Sequence, residues 1–295
     1  MKKYNKLFLI LISILLLNCS KSSTDDGGNN NPTPDNQTVD KSANLLATGA
    51  SSSDILGNAN FDNLLIEAAF VEGFRPTAEA MDEFVTFLSE RTFKQNISIQ
   101  YKQLESPDEE TLTLQEIADL ESENRTVYND GNTLAIYIYF ADAPSDDDDE
   151  EEGLVTLGAV YRNTSMVIYE KTIKSLAGRS LTITTADVEI ATLNHEFGHL
   201  FGLVNLGLTP VNDHEDPEAE NHCSVEGCLM RAELQFGGIA GKSHQLDSKD
   251  NILVPGCTLS GNSVLKILEH KTSKNMPTVD LDAECILDLQ SNGGK

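Results

Sequence analysis

Three residues in one short run carry the strongest chemical signal in this sequence: His195, Glu196 and His199, within Asn194-His195-Glu196-Phe197-Gly198-His199-Leu200. A helix advances 3.6 residues per turn, so residues four apart leave one face and two imidazoles there can bind the same ion. Neutral imidazoles suit Zn²⁺. Glu196 stands beside them, where it can take a proton from a water that the ion has acidified. A helix can carry two histidines by chance, but the Glu between them and Gly202, three residues past the second, argue for a metal site.

The element that must position these groups is legible as a helix. Leu193, Phe197, Leu200, Phe201 and Val204 form one apolar stripe at helical spacing. Thr184 or Thr185 can cap its start, and Asp187 and Glu189 in its first turn favour the helix dipole. Upstream, Leu64–Phe74 reads as a strand, Pro76-Thr77 opens a helix through about Thr92, and Asn96–Leu104 alternates as a half-buried strand does. Leu112–Tyr128 reads as a helix and Thr133–Phe140 as a strong strand. Two further strands, Leu157–Arg162 and Met166–Thr172, are joined at Asn163-Thr164. Asp280–Leu289 reads as a short closing helix. This order predicts an α/β (α+β) fold: a mixed, twisted sheet with helices packed on it and a looser C-terminal part.

The chain has 295 residues with 21 Lys+Arg against 47 Asp+Glu, a formal charge of −26. Phosphates would be repelled, so nucleic-acid binding is excluded and a well-solvated surface is expected. The seven acids Asp146–Glu152 read as a solvated loop; a Ca²⁺ site is the alternative, but the run lacks the glycine spacing of a calcium loop. At the other extreme, Lys2, Lys3 and Lys6 precede the apolar run Leu7–Leu17, which is too short to span a bilayer. The run ends in Leu16-Leu17-Asn18-Cys19-Ser20, which resembles a bacterial lipoprotein cleavage site with Cys19 as the lipidated residue, although Asn18 departs from the usual Gly or Ala. Residues 1–19 are therefore expected to be a signal segment and 20–43, rich in Ser, Asp, Gly, Asn, Pro and Thr, a flexible tether. The folded part then divides into 44–205, ending in the motif helix, and 206–295. The expected location is outside the cytoplasm, lipid-anchored to the outer membrane. Asp25-Asp26 weakly resembles a tag for the cell surface.

Past the motif helix, His222-Cys223, four residues, then Cys228-Leu229-Met230, complete a second pattern. Together the two halves resemble the metzincin zinc peptidases, HExxHxxGxxH with a later Met beneath the metal, and among them the archaemetzincins, whose motif continues HC-x4-C-x-M. The resemblance implies a zinc endopeptidase acting on peptides or proteins, with Glu196 as general base, Gly202 at the turn toward the third ligand and Met230 as an apolar support. It also implies an edge strand above the zinc, here Gly158–Arg162, exposed to pair with extended peptide. The departure is at Asn205, which stands where the third ligand is due; about 17 residues separate it from His222. His222 has the family spacing to Met230 and is favoured as third ligand over His214, which lies among Asp213, Glu215 and Asp216.

Without Cys19 four cysteines remain, Cys223, Cys228, Cys257 and Cys285, and an even count in an oxidising compartment points to disulfides. The most local pairing is Cys223–Cys228 with Cys257–Cys285. The resemblance would offer a second zinc site through a downstream C-x-x-C, which this sequence lacks. His244 and His270 read as surface residues, and a monomer is expected. Two other functions stay open: a zinc hydrolase whose third ligand is Glu215, Glu218, Glu220 or Glu226, and a surface lipoprotein that binds zinc without turnover.

Overall fold

The run Thr133–Phe140 has no charged residue and buries every side chain but the first, as a strand covered on both faces does. Around it the chain, in a computed structural model that describes residues 40–149, 151, 153–232, 258–260, 264–269 and 279–295, builds a mixed α/β fold. Contacts divide the chain into Met1–Thr38 and Val39–Lys295, and the described residues lie in the second unit. The expected signal segment and Cys19, most of the tether, His244, Cys257 and His270 lie outside the described residues.

The strands are β1 (Asn63–Val71), β2 (Asn96–Leu104), β3 (Thr133–Phe140), β4 (Leu154–Thr156), β5 (Gly158–Arg162), β6 (Ser165–Ile168), β7 (Glu215–Asp216), β8 (Ala219–Cys223) and β9 (Thr258–Ser260). The helices are α1 (Ser52–Leu56), α2 (Ala78–Arg91), α3 (Leu114–Asn124), α4 (Glu170–Ala177), α5 (Thr185–Leu200), α6 (264–269) and α7 (Ala283–Ser291). Five strands form one sheet in the order β2-β1-β3-β6-β5, parallel except for the last pair. β4 and β9 form a separate antiparallel ribbon, and β7 and β8 a hairpin. Alternation along β3 sends Leu134, Ile136, Ile138 and Phe140 into the larger core with α2, α5 and the C-terminal elements, and Tyr137 and Tyr139 into a smaller core with α3.

Three expected boundaries move, each for a physical reason. The helix over Leu112–Tyr128 is α3 only, because buried Glu67 of β1 accepts the backbone N–H of Thr126 and Val127 (2.9 and 2.8 Å) and draws the chain out of the helix. The strand over Leu64–Phe74 ends at Val71, where Gly73 takes a left-handed turn. The strand over Met166–Thr172 stops at Ile168, and α4 follows; Thr172 and Ile173 favour strands as residues, but Ile173, Leu176 and Ala177 share a helical face buried in the larger core.

Buried carboxyls join three helices. Glu170 in the first turn of α4 is fully buried beside Glu189 of α5, with Lys174 as its cation at 3.6 Å. Glu189 in turn accepts from the backbone N–H of Thr77, the N-cap of α2, at 3.1 Å. Burial, then the neighbouring Glu189, pushes Glu170 up to about 9. The native pKa is raised, so the fold keeps a proton that the unfolded chain releases, and stability falls as pH rises from about 4.5 toward about 9. Glu170→Gln, a neutral isostere, should flatten that loss. The check is the melting temperature at pH 6 and pH 9: the parent should drop more than the variant, and equal drops would disprove the assignment.

A candidate metal centre

The centre begins with how α5 is held. Thr184 caps it and shares a reciprocal capping box with Asp187, so Thr184 and not Thr185 is the cap. Apolar contact on every side then buries the helix from Ala191 to Leu200. Phe197 meets Phe84 of α2 edge-on at 5.3 Å and Phe201 at 5.1 Å. At its C-terminus Gly202 adopts φ +82°, and a Cβ there would lie 2.3 Å from Ser52 Oγ. Only glycine permits that turn at that closeness.

The structure brings His195, His199 and His222 together: one ligating nitrogen of each lies within 4.8 Å of the others. His195 Nδ1 lies 2.7 Å from Leu229 O, so Nδ1–H donates to that carbonyl and Nε2 is left as an acceptor. His222 Nδ1 similarly donates to Glu220 O at 2.9 Å. His195 Nε2 and His199 Nε2 are 3.2 Å apart. Two nitrogens on a tetrahedral zinc stand about 3.3 Å apart, so this spacing fits the ion. Burial also favours the neutral, ligating form of all three imidazoles. It lowers His195 to about 3 and His199 well below its usual range, and it lowers His222 against the opposing pull of Glu220 O, Asp216 and Glu215.

Glu196 is buried beside this cluster. Its Oε2 has no hydrogen-bond partner among the described residues, and burial pushes its pKa up to about 8. Gly158 of β5 makes room for it: a Cβ there would come within 2.6 Å of Glu196 Cγ. Among the described residues β5 is the edge of the sheet, bonded to β6, but Gly158 through Tyr161 are buried, which corrects the expectation of an exposed strand. Arg162 at its end is fastened to buried Glu121 at 2.7 Å. Met230 packs on Gly198 of the motif helix, where a Cβ would lie 2.2 Å from its sulfur.

His214, the alternate third ligand, is elsewhere. Its Nε2 pairs with Asp288 Oδ2 at 2.8 Å and its Nδ1 lies 3.3 Å from Cys223 Sγ. Burial works to lower its pKa, but Asp288 and Cys223 outweigh that and raise it. Asn205 is turned to Glu215, whose other oxygen accepts from the Asn221 N–H, and none of Glu215, Glu218, Glu220 and Glu226 joins the histidines as a candidate ligand.

The expected disulfides are not formed among the described residues. Cys223, Cys228 and Cys285 are free, buried thiols, and Cys228 Sγ stands 3.6 Å from Cys285 Sγ. That is beyond a disulfide bond but close to the roughly 3.8 Å between thiolates on a tetrahedral zinc. With Asp282 they form a second cluster that could hold a metal ion. The backbone N–H groups of Val225 and Met230 donate to Cys223 and Cys228 sulfurs at 3.4 and 3.3 Å. The same sulfur contacts lower Cys228 and raise Cys285, so Cys228 gives up its proton before Cys285. Sequence reasoning missed Asp282, although Asp282-Ala283-Glu284-Cys285 has the spacing of the C-x-x-C that was sought. Asp288 carried no such signal, and Glu215 and Gly158 were read for other roles, as a ligand and as the start of an edge strand.

No protein-family model matches the chain, and no curated protein does. Among solved structures it is similar to the crystal structure of an archaemetzincin from Methanopyrus kandleri, with 14% identity and a TM-score of 0.44, over 79% of this chain and 96% of that one.

Proposed function

We propose that the chain is a zinc-dependent endopeptidase, with His195, His199 and His222 as the metal's protein ligands and Glu196 as general base. One observation carries this reading: three imidazoles converge, with ligating nitrogens within 4.8 Å of one another and the His195–His199 pair at zinc spacing, beside a buried carboxyl. Bound zinc would supply Lewis acidity toward a scissile carbonyl and the water that attacks it. The protein's own part is proton transfer and alignment. Glu196, buried beside the ligating histidines, takes the proton of the attacking water and passes it to the leaving amine. Gly158 of β5 leaves the space in which the Glu196 side chain lies. Met230 supports the ligand-bearing helix from below and Gly202 turns the chain away from it.

The Cys223, Cys228, Asp282 and Cys285 cluster is read as a second, structural metal position, joined to the first through the neighbours His222 and Cys223. Export and lipid attachment at Cys19, with an outer-membrane or cell-surface location and a monomeric state, remain part of the proposal; export and anchoring rest on the pattern of residues 1–19. Among the described residues no helix is long and apolar enough to cross a membrane.

Four substitutions test the reading. Glu196→Ala should bind zinc as the parent does and lose peptide cleavage by a factor of about 10² or more; near-parental turnover would remove Glu196 from the mechanism. His222→Ala should weaken zinc binding far more than His214→Ala, measured by competition with a chromophoric chelator. The reverse order would reassign the third ligand. Gly158→Ala should displace the Glu196 carboxyl and lower kcat with zinc content unchanged, since the added methyl has 2.6 Å where contact needs more than 3 Å. An unchanged kcat would show that the strand yields instead.

A further inference from the structure

Asn205 occupies the place where a third ligand is due by motif spacing, yet its side chain serves another purpose. Its Nδ2 donates to Glu215 Oε2, while Glu215 Oε1 accepts the backbone N–H of Asn221 at 2.7 Å. One carboxylate thus bridges the turn that ends α5 and the residue immediately before His222. We propose that Glu215 is a positioning residue for the metal centre, setting where His222 stands relative to His195 and His199. This rests on the reading of His222 as third ligand.

Local structure makes such a clamp necessary. The hairpin that presents His222 pairs a two-residue strand with a five-residue one, and its register shifts between Glu215 and Asp216. So short a hairpin is not self-sustaining. Asn221 turns the chain left-handed at φ +64°, a conformation Asn adopts more readily than most residues. The Glu215 carboxylate fastens that turn through the Asn221 N–H. On the far side Cys223 N donates to Met230 O at 2.8 Å and Ser224 N to His214 O at 2.8 Å, so His222 sits between two fastened points. Removing the carboxylate releases one of them.

A competing explanation is plain charge: Glu215 raises the affinity of a nearby cation site by its field, as Asp216 and Glu220 would. Glu215→Gln separates the two. Glutamine keeps an oxygen for the Asn221 N–H and offers an amide that pairs with Asn205 once the Asn205 amide turns over, so the clamp survives while the charge is lost.

The experiment is zinc affinity of the full chain, read by chelator competition, for the parent, Glu215→Ala, Glu215→Gln, Asn205→Ala and His222→Ala, with apo-protein melting alongside. Glu215→Ala should weaken zinc by about tenfold or more. Glu215→Gln should stay close to the parent, and Asn205→Ala should fall between. Parental affinity in Glu215→Ala, with His222→Ala weakened, would overturn the clamp and leave the ligand assignment standing. A Glu215→Gln variant as weak as Glu215→Ala would overturn it in favour of charge. Parental affinity in His222→Ala would overturn the ligand assignment itself. Should Glu215→Ala lose its cooperative melt, exposed Asn205→Ala decides, and unchanged affinity there counts against the clamp.

Discussion

The centre depends on the seat of Met230 against Gly198. No side chain at 198 could coexist with it, since the first added carbon would meet the sulfur at 2.2 Å. Because the seat is empty, the Cys228–Met230 turn lies directly on α5, and Leu229 O reaches His195 Nδ1. That hydrogen bond selects the tautomer in which Nε2 faces the cluster. The same turn accepts from Cys223 N through Met230 O and donates from Leu229 N to Asp280 O at 2.9 Å, just before α7. Leu229 and Met230 are both fully buried. Each contributes about 1.5–3 kcal/mol of apolar burial, against about 1–2 kcal/mol to order one residue's backbone. Burial wins, and the turn stays on the helix.

Strand alternation then serves two clusters from one segment. His222 and Cys223 are neighbours on β8, so their side chains leave opposite faces. One face turns to His195 and His199, the other to Cys228, Asp282 and Cys285. His214 and Asp288 stand behind Cys223 and hold it from α7, which is why His214 is no rival to His222: the chemistry that makes it a good ligand is spent on Asp288. A metal in the thiol cluster would stiffen the strand that carries the third histidine.

What could be read from the sequence follows from range. The helix period of α5, its cap and the His195/Glu196/His199 face are local properties, as are the bounds of β2 and β3 and the alternation that seats them. Where reading failed, a distant partner decided. Helix α3 ends at Asn124 because Glu67, far back in the chain, captures the next amides. The cysteines were paired by proximity in sequence, whereas Cys285 meets Cys228 through the packing of α7 and brings an aspartate as the fourth member. The edge position of β5 was legible, but not its cover, because Gly158 and its neighbours are buried by tertiary packing. Residues 1–39 and Cys257 lie outside the described residues, so the lipid anchor keeps the standing of a sequence motif.

The long excursion from α5 to His222 costs little in chain entropy, since each doubling of a loop adds only about 0.6 kcal/mol. Its real cost is local. Val204 and Asn205 are both left-handed, at φ +52° and +68°, and such non-glycine residues each cost of order 1–3 kcal/mol. Burial of Val204 offsets the first, and the Glu215 contact the second. Two corners of the centre are therefore held by the apolar core, and the third by polar contacts near the surface, where Asn205 is exposed and Glu215 half-buried. Polar contacts at a surface are the first to open. On the proposed reading of His222 as a ligand, the order of the hairpin and the filling of the site would be coupled, so that closing β7 and β8 and completing the metal's coordination would be one equilibrium.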